Sequence, residues 1–266
     1  MRVALRIAYD GSKFYGFQRQ PDVKTVEGEL INALNKLGII GSPREAQFQG
    51  ASRIDRGVSA FFNVVAFNTT NLKLIQPRIL NHHLYDMWVL GIAEVPEDFH
   101  PRFHAEGKTY RYYLPDEGFD FNAMKDCGRL FLGKHNFSNF ARLEKGKNPV
   151  RRITHLEILK QEDILVIEVS GESFLWEMVR RMVMALKLCG LGLLGKDDIK
   201  NMLEVTTERK IPPAPAENLV LWEIKYENVK FKIDEYSVEK AKKEFFERFS
   251  RAIVRATFFR DFYRSL

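Results

Sequence analysis

The chain has 266 residues, 45% of them hydrophobic and 29% charged, a balance that fits one large globular unit or two moderate ones with a real core. No run of about 18 apolar residues occurs, and charges interrupt the opening Arg2-Val3-Ala4-Leu5-Arg6-Ile7, so neither a membrane span nor a secretory leader is expected. Two cysteines, six scattered histidines and a net charge of +6 predict no disulfide framework, no metal site, a cytoplasmic setting and a mild attraction to polyanions.

Val3, Leu5, Ile7 and Tyr9 alternate with Arg2, Ala4, Arg6 and Ala8, the period of a strand. Thr25 then stands as a helix N-cap with Glu27 and Glu29 in the first turn. Val26, Leu30, Ala33, Leu34 and Leu37 follow at helical spacing, with Gly38 as the stop. A short strand near 46–49 and a long one over 58–67 flank the polar turn Ser52-Arg53-Ile54-Asp55-Arg56-Gly57. A helix over 77–84 and a strand over 88–93 complete a βαββαβ order.

The same order is predicted again further on. Residues 108–114 read as a strand, 121–131 as a helix, and 150–160 and 164–170 as two strands joined by a tight turn. A strong helix is expected over 174–189, with Phe174, Met178, Met182, Ala185, Leu186 and Cys189 on one side. After an inserted helix over 196–204 and a strap holding Pro212, Pro213 and Pro215, a strand over 219–226 closes the pattern. The expectation is an α+β protein of two ferredoxin-like, RRM-like halves, 1–104 and 105–228, each with an antiparallel sheet. The two sheets should meet at a central cleft, with helices on one face. Residues 229–266 form a helical extension, with Phe245, Phe246, Phe249, Phe258, Phe259 and Phe262 as a packing surface.

Asp55 lies between Arg53 and Arg56, just ahead of an apolar strand. Two adjoining cations should hold its carboxylate ionised and its pKa low, leaving it free to act as nucleophile or base without a metal. An aspartate in a turn also serves simply to accept hydrogen bonds from its own backbone. Glycoside hydrolysis usually needs a second, matched carboxylate, and none stands out. Arg142, Lys145, Lys147, Arg151 and Arg152 crowd one segment, and Arg102, Lys108 and Arg111 another. Either cluster reads as solvated surface charge or as a track for an RNA backbone.

Ala51-Ser52-Arg53-Ile54-Asp55-Arg56-Gly57-Val58-Ser59-Ala60 resembles the A-S-R-T-D-R-G-V-H-A motif of the TruA family of tRNA pseudouridine synthases, departing from it at Ile54 and Ser59. Further segments resemble that family in order along the chain. They are Tyr9-Asp10-Gly11 with Tyr15-Gly16-Phe17-Gln18, Thr25-Val26-Glu27-Gly28, Asp98-Phe99-His100-Pro101-Arg102-Phe103, Lys108-Thr109-Tyr110-Arg111-Tyr112, Phe174-Leu175-Trp176-Glu177-Met178-Val179-Arg180 and Pro215-Ala216-Glu217-Asn218-Leu219-Val220-Leu221. Phe17 stands where that family has Trp, and Asn218 where it has Gly.

The resemblance implies cofactor-free isomerisation of uridine to pseudouridine in the tRNA anticodon stem-loop, at positions 38, 39 and 40. Proteins of that family are homodimers in bacteria and can be monomers elsewhere, and a homodimer is expected here. It implies Asp55 as the catalytic residue, Tyr110 as a ring stacked on the target base, and Arg180 as the partner of Asp55 across the cleft. It assigns base flipping to Arg53; by their charge, Arg53 and Arg56 are both candidates for contacting phosphate or pushing the target nucleotide outward. Arg102, Lys108, Arg142, Lys145, Lys147, Arg151 and Arg152 are the candidates for following the RNA backbone. A non-catalytic RRM-like RNA-binding module is the rival reading. Arg56-Gly57-Val58-Ser59-Ala60-Phe61 resembles the RRM's basic-Gly-aromatic motif but lacks an aromatic ring at Val58.

Overall fold

Apolar alternation builds the first group of strands in the computed structural model, which describes residues 1–266. This group comprises β1 (Arg2–Tyr9), α1 (Val26–Lys36), β2 (Gln49–Gly50), β3 (Ser59–Asn68), α2 (Pro77–Asn81) and β4 (Met87–Val95). The second comprises β5 (Gly107–Pro115), α3 (Phe121–Arg129), β6 (Gly133–Asn136), β7 (Val150–Gln161), β8 (Ile164–Gly171), α4 (Met178–Gly190), α5 (Lys196–Leu203) and β9 (Leu219–Lys225). β10 (Lys232–Ile233) and α6 (Glu235–Ser265) follow. α1 starts where expected because the Thr25 hydroxyl accepts the Gly28 amide at 3.2 Å.

The strands form one mixed sheet in the order β10-β4-β1-β3-β9-β5-β8-β7-β6, with β2 paired to β3. This corrects the expectation of two separate antiparallel sheets. The two groups are joined edge to edge by a parallel pairing of β3 with β9, through Ser59 with Val220 and Ala60 with Leu221. All other pairings are antiparallel. Joining in this way occupies two strand edges whose backbone groups would otherwise lie open. The order β4-β1-β3-β2 on one side of the joint matches β9-β5-β8-β7 on the other. A single core of 59 buried residues runs beneath both groups, so they share an interior.

Two elements depart from the sequence reading near functional positions. The helix expected from residue 174 begins only at Met178, because Glu177 takes a left-handed φ of 61° that a continuing helix cannot use. Phe174, Leu175 and Trp176 are thereby released into a loop that reaches the cleft. In the C-terminal helix, Phe245 packs on Trp88 at a centroid distance of 4.5 Å, and Ala241 is buried with Ala8, Trp88 and Leu90. Arg248 then donates to Asp10 and Asp86, each at 2.7 Å. Phe245 is 39% exposed, whereas Phe246, Phe249, Phe258, Phe259 and Phe262 are each 53% or more, so the expected packing surface narrows to its first member. No helix is long and apolar enough to cross a membrane.

Candidate active site

Backbone contacts to the loop after β1 set the Asp55 turn. The Phe17 amide donates to the Ile54 carbonyl at 3.0 Å, and the Val58 amide to the Asp55 carbonyl at 3.3 Å. Gly11 lies so close to the turn that a Cβ there would come within 2.1 Å of the Val58 carbonyl oxygen. Its amide donates to the Ser59 hydroxyl at 2.9 Å. Gly57 takes φ 87°, a conformation that side chains with a Cβ rarely adopt. The Arg56 guanidinium lies 4.1 Å from the centroid of the Tyr15 ring, a cation–π contact on the same loop pair.

The Asp55 carboxylate is held at both oxygens. Arg180 donates to Oδ2 at 3.2 Å and the Trp176 indole to Oδ1 at 3.0 Å. Arg180 also donates to the Ala214 carbonyl at 2.6 Å, so the proline strap helps to aim it. Arg181, its neighbour, is occupied elsewhere, donating to Glu177 and to the Ile211 carbonyl. Arg53 and Arg56, the cations expected to lower the Asp55 pKa, are both exposed. Burial instead pushes the Asp55 carboxyl above the usual range, against the opposing pull of Arg180 and Trp176 and with a small push from Glu177. A carboxylate raised in this way is a stronger base and nucleophile than one depressed by bound cations.

Asp55 lines a cleft of about 710 Å³ with Arg53, Arg56, Arg102, Lys108, Arg142, Lys147, Arg151 and Arg180. Glu144 and Glu177 are the other acids on its wall, so cations predominate. Tyr110 lines it from β5, half-buried, edge-on to Phe174 at a centroid distance of 5.1 Å. Burial pushes its phenol up to about 12, keeping the ring neutral. Lys108 lies two residues earlier on the same strand face and donates to the Ala51 carbonyl at 2.8 Å. Burial first, then Arg102, pulls its pKa down to about 8. The Arg151 guanidinium is engaged by the Asn148 and Val150 carbonyls.

Two sequence candidates are not brought to this cleft. Arg152 follows Arg151 on β7, where successive side chains leave opposite faces, and it pairs with Glu172 at 3.5 Å. Lys145 is exposed in the preceding turn and is not on the cleft wall. Conversely, sequence reasoning passed over Trp176. It lies at a position that the matched motif leaves open, inside a segment that helical spacing assigns to a helix.

A carboxylate held at both oxygens, a neutral aromatic ring beside it and a wall of cations together suit an enzyme that works on a polyanion carrying flat bases. Comparison with known proteins narrows this class. A family model described as tRNA pseudouridine synthase matches residues 128–227. The chain is 59% identical over 266 residues to tRNA pseudouridine synthase A of Thermococcus sibiricus, covering 100% of both chains. The protein of the same description from Pyrococcus furiosus is 53% identical over 251 residues, covering 94% of this chain and 92% of that one. That of Methanosarcina mazei is 42% identical over 259 residues, covering 96% of each. The chain belongs to the tRNA pseudouridine synthase A family.

Proposed function

We propose that the chain isomerises uridine to pseudouridine in transfer RNA, with Asp55 as the reacting carboxylate. The observation that carries this is the placing of Asp55, tied to Arg180 and Trp176, in a cation-lined cleft beside Tyr110. In the reaction the N1–C1′ bond breaks, the uracil turns, and C5 bonds to C1′. C5 gives up its proton and N1 regains one, so the nucleoside is rearranged without an outside oxidant, reductant or cofactor. A carboxylate can serve by bonding to carbon or by removing the C5 proton. The neutral Tyr110 ring suits stacking on a base turned out of its strand. Arg53 and Arg56 extend from the same turn as Asp55 and serve to displace the target nucleotide and hold its phosphate. Arg102, Lys108, Lys147 and Arg151 line the route of the RNA backbone.

The finer reading places the target uridines at positions 38, 39 and 40 of the anticodon stem-loop, with the enzyme acting as a cytoplasmic homodimer. Residues 1–104 and 105–228 are read as two related RRM-like domains and 229–266 as an extension, supported by the strand order common to both groups. The row of exposed phenylalanines on α6 supports pairing of two chains through that extension.

The test uses unmodified tRNA transcripts tritiated at uridine C5. Wild-type enzyme should release label to water, and Asp55→Asn should release none while still binding tRNA. A non-catalytic RNA-binding module would release none in either form. Substantial turnover by Asp55→Asn would remove Asp55 from the reaction.

A further inference from the structure

Only one of the two groups holding Asp55 belongs to the pattern expected from the sequence. The other is Trp176, whose indole N–H donates to Oδ1 at 3.0 Å while Arg180 takes Oδ2. A carboxylate tied at both oxygens cannot turn about its own axis. Each oxygen keeps a second lone pair, and those are the electrons left to face the cleft.

The indole is itself held in place. The Arg142 guanidinium lies 4.1 Å from the Trp176 ring centroid, and the Arg142 amide donates to the Trp176 carbonyl at 2.9 Å. The next residue, Glu177, adopts its left-handed φ of 61° with its carboxylate on Arg181. Strained backbone of this kind gathers where a side chain must be aimed. Trp176 remains 43% exposed on the cleft wall, a large ring left partly in water where burial would stabilise the fold more.

We propose that Trp176 is a positioning residue: its indole N–H fixes the plane of the Asp55 carboxylate and favours its ionised form, with Arg142 steadying the ring. This rests on the reading of Asp55 as the reacting carboxylate. An indole is a donor only, so it orients the carboxylate without competing for the proton. A lysine in its place would add a full charge and draw the carboxylate's basicity down further.

The test is Trp176→Phe in the full chain, which keeps an aromatic ring and deletes the donor. It is assayed by tritium release with tRNA concentration and pH varied. The expected result is a fall in kcat of about 10- to 100-fold, the scale of one lost hydrogen bond to a charged group. The KM for tRNA should move less than about threefold, and the acid limb of kcat/KM should shift to higher pH. Arg142→Ala, which frees the ring but leaves the indole, should lower kcat in the same direction by less. This second variant decides the matter if the first melts early. A wild-type kcat with an unmoved acid limb, or a loss confined to KM, would overturn the proposal and leave the ring as a wall of the cleft. Asp55→Asn run in parallel separates the two readings. If it turns over, the assignment of Asp55 fails; if it is inert while Trp176→Phe behaves as wild type, only the role of Trp176 fails.

Discussion

Asp55 and Arg180 meet at 3.2 Å although 125 positions separate them in the chain. One sits on the turn before β3 and the other on the first turn of α4, so the ion pair exists only once both groups of strands have closed. Arg180 is the less exposed partner, 14% against 28% for Asp55. Its further bond to the Ala214 carbonyl keeps the guanidinium in place when the carboxylate changes charge.

Asp55→Asn should leave the fold as stable as wild type at neutral pH, or more so. Burial raises the folded-state pKa of Asp55 above its ordinary value. The ionised carboxylate therefore costs stability at any pH above that raised value, and the cost fades as pH falls through the window between the raised and ordinary values. Melting curves of both proteins across that window should converge on the acid side. A mutant melting well below wild type at pH 7 would contradict this.

Arg180→Gln should slow the reaction and move its pH dependence. The guanidinium is the largest influence opposing burial at Asp55, so its removal should carry the acid limb of kcat/KM to still higher pH. The fall in kcat should be on the order of 100-fold, as for loss of one preorganised charged donor in an active site. An acid limb that stays put or moves down would show that Arg180 does not set the ionisation of Asp55.

Tyr110→Phe should lose far less activity than Tyr110→Ala. The phenol is pushed up to about 12 and supplies no phenolate in the working range, and the stacking expected of Tyr110 uses the flat ring that Phe retains. Replacing it by Ala removes a stacking contact of about 1–3 kcal/mol. Equal losses in single-turnover tritium release would point to the hydroxyl instead.

Lys108 should make tRNA binding sensitive to pH near 8. Its folded pKa is pulled down to about 8, so it carries its charge at pH 7 and has lost most of it by pH 9. The slope of log affinity against log salt should therefore shrink by about one over that interval. Lys108→Met should show the shallower slope at both pH values. Parallel salt slopes at pH 7 and 9 in wild type would place Lys108 away from phosphate.

Strand and helix periods made most elements legible, since Thr25, Gly38 and the alternation in β3 act through local backbone chemistry. What was not legible depends on contacts between distant segments. Nothing local in Ser59-Ala60 or Val220-Leu221 announces a parallel pairing across 160 or so positions, so the single sheet was read as two. The charge of Arg53 and Arg56 was visible but their exposure was not, and this inverted the expected direction of the Asp55 pKa. Trp176 was hidden by the assumption that the Phe174–Met178 spacing continues a helix. The left-handed Glu177 that ends it is a residue type with no special preference for that conformation. Beyond Arg248, α6 carries apolar residues at helical spacing, which predicts a helix but not what covers it.

The two-residue joint between β3 and β9 has a bearing on how the chain matures. Ser59 begins immediately after the Asp55 turn, and its partner Val220 is synthesised only after four-fifths of the polypeptide. The strand that follows Asp55 therefore gains its last neighbour only after Val220 and Leu221 have been made. A partly made product that stops short of Trp176 holds the acid without its arginine or indole, so the doubly tied carboxylate forms only late in synthesis.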